Sequence, residues 1–166
     1  MGGSGVERSV SILDDSETRQ TALTGLCRGV FVGIGLVIAA HLIGVESGRA
    51  VIKLAYATLA GLAVGEVVTP NRTSAATEAA ELAKSQAIPR AVGMSIGLAL
   101  VIGPYTLESI LLSMRQATDW ATLIGITLLF ATGWRLGHDN SSRRVNAVRL
   151  VIAGIVVVIL AILIPR

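Results

Sequence analysis

Residues 150–165 read LVIAGIVVVILAILIP, a run without a single polar side chain. A helix on a soluble protein keeps one face polar, so a stretch that is apolar all round belongs in a buried core or in a bilayer. Composition decides between them. Of 166 residues, 52% are hydrophobic and 15% charged, where a soluble domain carries roughly a quarter charged. Eighteen glycines and only 4% aromatics suit closely packed helices better than a bulky soluble core. The net charge of +3 does not point to nucleic acid, because the basic residues are scattered between apolar runs and stacking aromatics are scarce. Cys27 stands alone, which excludes an intramolecular disulfide framework. His41 and His138 lack zinc-site spacing. With no nucleophile–base set, phosphate loop or cofactor motif, neither an enzyme nor a bound cofactor is expected.

Working outward from that run, four more apolar segments lie between charges. The five cover Gly29–Val45, Leu54–Gly65, Ala91–Leu107, Trp120–Trp134 and Leu150–Pro165. Each falls short of the ~20 residues that cross a hydrocarbon core, and arginines and lysines snorkelling at their ends supply the missing length. Trp120 and Trp134 stand about 21 Å apart along a helix, as interfacial belt residues do. The expected fold is therefore an all-α integral membrane protein with five transmembrane helices spanning residues 21–166. Residues 1–20, MGGSGVERSVSILDDSETRQ, read as a flexible polar tail without the basic start and apolar core of a signal peptide. Residues 71–87, NRTSAATEAAELAKSQA, read as a short amphipathic helix between spans two and three, ended by a turn before Pro89.

Five spans place the termini on opposite sides. Ten basic residues fall on one side: Arg8, Arg19, Arg28, Arg72, Lys84, Arg90, Arg135, Arg143, Arg144 and Arg149. Arg49, Lys53, Arg115 and Arg166 fall on the other. The positive-inside rule then gives a cell-membrane protein with a cytoplasmic N-terminus and an external C-terminus. Glycosylation-type triplets at Asn71 and Asn140 would both be cytoplasmic, and such triplets are common by chance.

Two features inside the spans invite a functional reading. Twelve uncharged residues separate Lys53 from Glu66, or about 18 Å of helix, so both charges cannot reach water across a core about 30 Å thick. Lysine can climb to the headgroups and glutamate cannot. Glu66 is either buried with a partner or wetted at the cytoplasmic interface, and both readings stay open. The other feature is glycine at every fourth position: Gly25, Gly29 and Gly33 in span one, Gly61 and Gly65 in span two, Gly93 and Gly97 in span three, Gly133 and Gly137 in span four. Such stripes let helix backbones approach closely, within the chain or against a second copy. His41 and Glu108, at outer span ends, read as a satisfied histidine and an interfacial carboxylate.

The junction LAVGEVVTPNRTSAATEAAELA at 62–83 resembles the end of span two in the vacuolar iron transporter family, with Gly65 and Glu66 standing at its Gly-Glu pair. RLGHDNSSRRVNAVRLVIAGIVV at 135–157 is similar in layout to that family's arginine-rich approach to its last helix. The resemblance implies five spans, a cytoplasmic N-terminus, a homodimer and transport of a divalent cation, Fe²⁺ or Mn²⁺. It assigns Glu66 as a metal ligand, with Glu78 and Glu81 gathering cations. The sequence departs from the family in LTGLCRGVF at 23–31, where Arg28 stands in place of an aspartate, and at Leu62, in place of a methionine. An arginine there repels a cation. The alternative is an accessory or scaffold membrane protein that keeps the fold without the metal site.

Two packing expectations follow. The dimer would form through the glycine stripe of span one. Arg28 and Glu66, both about nineteen residues from the turn near Glu46, would meet as an ion pair beside Gly29 and Gly65.

Overall fold

The computed structural model describes residues 4–68, 77–108, 110–137 and 139–163; within these, the side chains of residues 4–16, 63, 66–68, 77–85 and 160–162 lie outside the description. Five helices account for nearly all of it: α1 (Ser4–Leu42), α2 (Gly48–Val68), α3 (Thr77–Thr106), α4 (Met114–Leu136) and α5 (Asn140–Leu163). No strand occurs among the described residues.

The helix ends follow from local chemistry. At the close of α1, Gly44 takes φ 71°, the left-handed conformation that glycine adopts without a Cβ penalty. Its N–H donates to the His41 carbonyl, and the Val45 N–H donates to the Ala40 carbonyl at 3.0 Å. This pair of bonds satisfies carbonyls that the helix end leaves open. Ser113 caps α4, its hydroxyl accepting from the Gln116 N–H while the Gln116 side chain accepts from the Ser113 N–H. At the start of α5 the Asp139 carbonyl accepts from the Arg143 N–H at 2.8 Å.

Two expected boundaries are corrected. The segment read as a flexible tail is helical from Ser4 onward and continuous with the first apolar run. The separate helix at 71–87 does not occur: α3 runs unbroken from Thr77 through Pro89 and Pro104 to Thr106. Each proline removes one rung of hydrogen bonding without ending the helix, a loss tolerated where flanking turns and neighbours hold the backbone. Residues 71–76 lie outside the described residues.

Side by side with α1 runs α3, in the same direction, and their contact is the most extensive in the molecule. Gly25 and Gly29 lie against the backbone carbonyls of Arg90 and Met94, and reciprocally Gly93 and Gly97 lie against those of Ala22 and Leu26. Ala22, Gly25, Leu26 and Gly29 thus stand to α3 as Arg90, Gly93, Met94 and Gly97 stand to α1, a local two-fold. The symmetry extends outward, since α2 packs on α3 as α4 packs on α1. α5 breaks it, covering α4 and α1, and α4 also packs on α3 more extensively than α2 does on α1. There Gly133 lies against Ala147, and Gly137 against Arg143.

The core is made of Val30, Ile34, Val37, Val51, Val101 and Leu129 between these glycine contacts. Large apolar side chains also cover the outside of α2 to α5, among them Leu54, Val92, Ile96, Leu123, Ile152 and Ile159. Two stretches, Glu17–Leu42 and Gln86–Thr106, are long and apolar enough by themselves to cross a membrane.

Candidate functional site

The charged residues singled out above as an ion pair and metal set lie on α1, the last turn of α2 and the first two turns of α3. Arg28 sits on α1 between buried Cys27 and buried Gly29, with its own side chain exposed. Gly29 is turned to α3, so Arg28, the preceding residue, projects away from that seam. Glu66 belongs to the last turn of α2, and Glu78 and Glu81 to the first two turns of α3. The side chains of all three lie outside the described residues, and with them the expected metal set and the Arg28–Glu66 pair. Arg90 lies midway along α3, where its backbone meets Gly25 of α1, and its Nε is buried.

What the backbone does show is that the expected close approach at Gly29 and Gly65 does not form. Gly29 meets the Met94 carbonyl, and a Cβ added at Gly65 or Gly61 would meet nothing within 4 Å. The physical reason is competition for α1. Its small-residue face accepts only one neighbour at backbone distance, and α3 takes that place with Gly93 and Gly97, while Gly61 and Gly65 of α2 are turned elsewhere. The glycine stripe expected to form a dimer surface is engaged by α3 for the same reason. Gly25, Gly29 and Gly33 are consumed inside the chain; a Cβ added at Gly33 would meet Val101 Cβ at 2.9 Å.

Where α2 begins, a polar clasp joins three elements. Glu108, in the turn after α3, accepts the Gly48 N–H at 3.1 Å through Oε2. This is the first N–H of α2, one of the donors that a helix start leaves open and the place where a carboxylate is most favourable. Gly48 is needed for the reach: a Cβ there would meet Glu108 Oε2 at 2.8 Å and the Tyr105 carbonyl at 3.0 Å. Tyr105, 2% exposed, is hydrogen-bonded to Thr118 of α4 at 2.9 Å. Glu108 was read from sequence only as an interfacial carboxylate. Its partner lies sixty positions away, and no local pattern announces it.

Several hydroxyls are satisfied locally. Thr24, Thr58, Ser95, Thr122 and Thr127 each donate to the carbonyl four residues earlier, the arrangement by which hydroxyls sit inside apolar helices. His41 is exposed in the last turn of α1, its carbonyl engaged by Gly44. Cys27 is a buried free thiol, and His138 lies outside the described residues. Among the described residues no three of His, Cys, Asp and Glu come together in one group. Comparison with protein-family models, curated proteins and solved structures gave no match.

Proposed function

We propose that the chain is a five-span integral membrane protein acting as an accessory or scaffold subunit. The observation that carries this reading is the inverted placement of side chains. Glycines form the helix contacts along α1, α3 and α4, while valine, isoleucine and leucine cover the outside of α2 to α5. In water that surface would drive aggregation; in lipid it costs nothing, and close glycine packing becomes the main attraction between helices. Helix length agrees. α2, α4 and α5 have 21, 23 and 24 residues, or about 31–36 Å each, enough for a hydrocarbon core. The accessory role is favoured by the backbone contact between α1 and α3, which fills the middle of the bundle, and by the positive charge of Arg28.

A second reading is divalent-cation transport with Glu66 as ligand and Glu78 and Glu81 as gathering residues, acting as a homodimer. It is favoured by the Gly65–Glu66 junction and by the open space beside Gly61 and Gly65. Alkaline carbonate extraction tests the membrane assignment: the protein should stay with the membrane pellet. Fe²⁺ or Mn²⁺ uptake into proteoliposomes then separates the two roles. No uptake above empty vesicles supports the accessory reading. Uptake that Glu66→Gln abolishes, a change that removes charge and keeps size, overturns it in favour of transport.

A further inference from the structure

Because α5 covers only the α1–α4 side, the matching seam between α2 and α3 stays open. There an apolar groove of 240 Å³ runs between Ile52, Tyr56 and Leu59 on α2 and Leu98, Ile102 and Thr106 on α3. It begins at the clasp end of the bundle and extends inward over residues 52–59, about 11 Å of helix. Tyr56 at its edge is 69% exposed. Arg49 and Lys53 are both exposed on the first two turns of α2. Together with Ile52 and Tyr56 they occupy positions i, i+3, i+4 and i+7, so the two cations share a flank of the helix with the two side chains lining the groove.

Two of the four basic residues on the sparsely charged side of the sequence therefore stand at the mouth of one apolar slot. We propose that this slot binds an anionic phospholipid, its acyl chain lying along α2 and α3 and its phosphate between Arg49 and Lys53. The inference rests on the membrane reading above. Asp119 on α4 lies near Tyr105 and does not line the groove. Glu108 is engaged at the Gly48 N–H, above the first turn. Exposed Glu46 precedes the helix altogether, whereas Lys53 lies more than a turn deeper, toward the groove. A diacyl lipid fits this combination. The groove is too apolar for a hydrophilic anion, and the paired cations favour a negative headgroup over a zwitterionic one.

The test reconstitutes the full chain into vesicles of phosphatidylcholine mixed with phosphatidylglycerol, extracts it in mild detergent and weighs retained lipid by native mass spectrometry. Phosphatidylglycerol should be retained with roughly tenfold preference, from two cations each contributing a modest attraction. Arg49→Gln with Lys53→Gln should remove the preference. Arg144→Gln with Arg149→Gln, two exposed arginines on α5, should leave it intact. Ala99→Phe, which fills the groove wall, should reduce retention of either lipid while the helix content stays that of the parent. Equal retention of both lipids by the parent, or a preference that survives the Arg49/Lys53 change, overturns the site. Failure of the parent to float with vesicles of phosphatidylcholine alone would instead overturn the membrane reading, and this site with it.

Discussion

Two glycine pairs of identical spacing meet opposite surroundings. Gly25 and Gly29 on α1 sit against backbone carbonyls of α3, whereas Gly61 and Gly65 on α2 face open space. What differs is the partner. α3 carries Gly93 and Gly97, so both backbones can approach, and each glycine receives the carbonyl of the other helix. α2 docks on α3 through Val51, Ala55, Ile52 and Leu59, leaving its glycines on another flank. A small-residue pair is thus an opportunity for contact, realised only when a second helix supplies its complement at the same depth.

The sharpest way to break the comparison is to enlarge one glycine of each pair. Gly29→Leu drives a side chain into the Met94 backbone, which cannot move as a flexible side chain would. The expected loss exceeds the ~1–3 kcal/mol of ordinary overpacking and should appear as failure to recover folded protein in detergent. A folded variant that has changed only its oligomeric mass would show that the seam lies between copies rather than within one.

Next in size is the clasp that ties loosely held α2 to the rest. Glu108→Ala removes a charge-assisted bond to the Gly48 N–H and should cost about 1–2 kcal/mol. Glu108→Gln keeps an acceptor and should recover part of that. Thermal unfolding in one detergent measures both. Equal losses for the two variants would show that the charge, rather than the hydrogen bond, holds the helix. Smaller again, Ser113→Ala should cost about 1 kcal/mol by removing the cap of α4. A loss well below that would mean that the Gln116 side chain alone suffices to hold the helix start.

How far all this was legible varies with the range of the interaction. The apolar runs located the helices: Leu54–Gly65 falls inside α2, Trp120–Trp134 inside α4 and most of Leu150–Pro165 inside α5. Pro89 misled, because a proline commonly kinks or ends a helix, and α3 runs on through it. Partner choice was not read, yet a signal for it exists. Gly25, Gly29 and Gly35 share their spacing with Gly93, Gly97 and Gly103, with Ile34 and Ile102 preceding the last glycine of each set. That repeat matches the reciprocal contact of α1 with α3. The clasp was illegible for another reason: a carboxylate reaching a distant backbone N–H leaves no periodicity in either segment.

The smallest effect is expected on the open pair, at Gly61→Ala. A Cβ there meets nothing within 4 Å, so no steric cost arises. The helix instead loses a flexible residue from its interior, which gains about 0.5–1 kcal/mol in an exposed setting. The variant should therefore be as stable as the parent or slightly more so, measured by the same thermal unfolding used for Glu108→Ala. Gly61→Leu should also be tolerated to within about 0.5 kcal/mol, as for other surface substitutions away from special features. Its contrast with Gly29→Leu is the point of the experiment. The two changes are chemically identical and both fall inside an apolar helix, so any difference in outcome comes from what lies opposite. If Gly61→Leu were as damaging as Gly29→Leu, the outer face of α2 would have to be covered by another chain at backbone distance, and the pair would then mark a dimer contact.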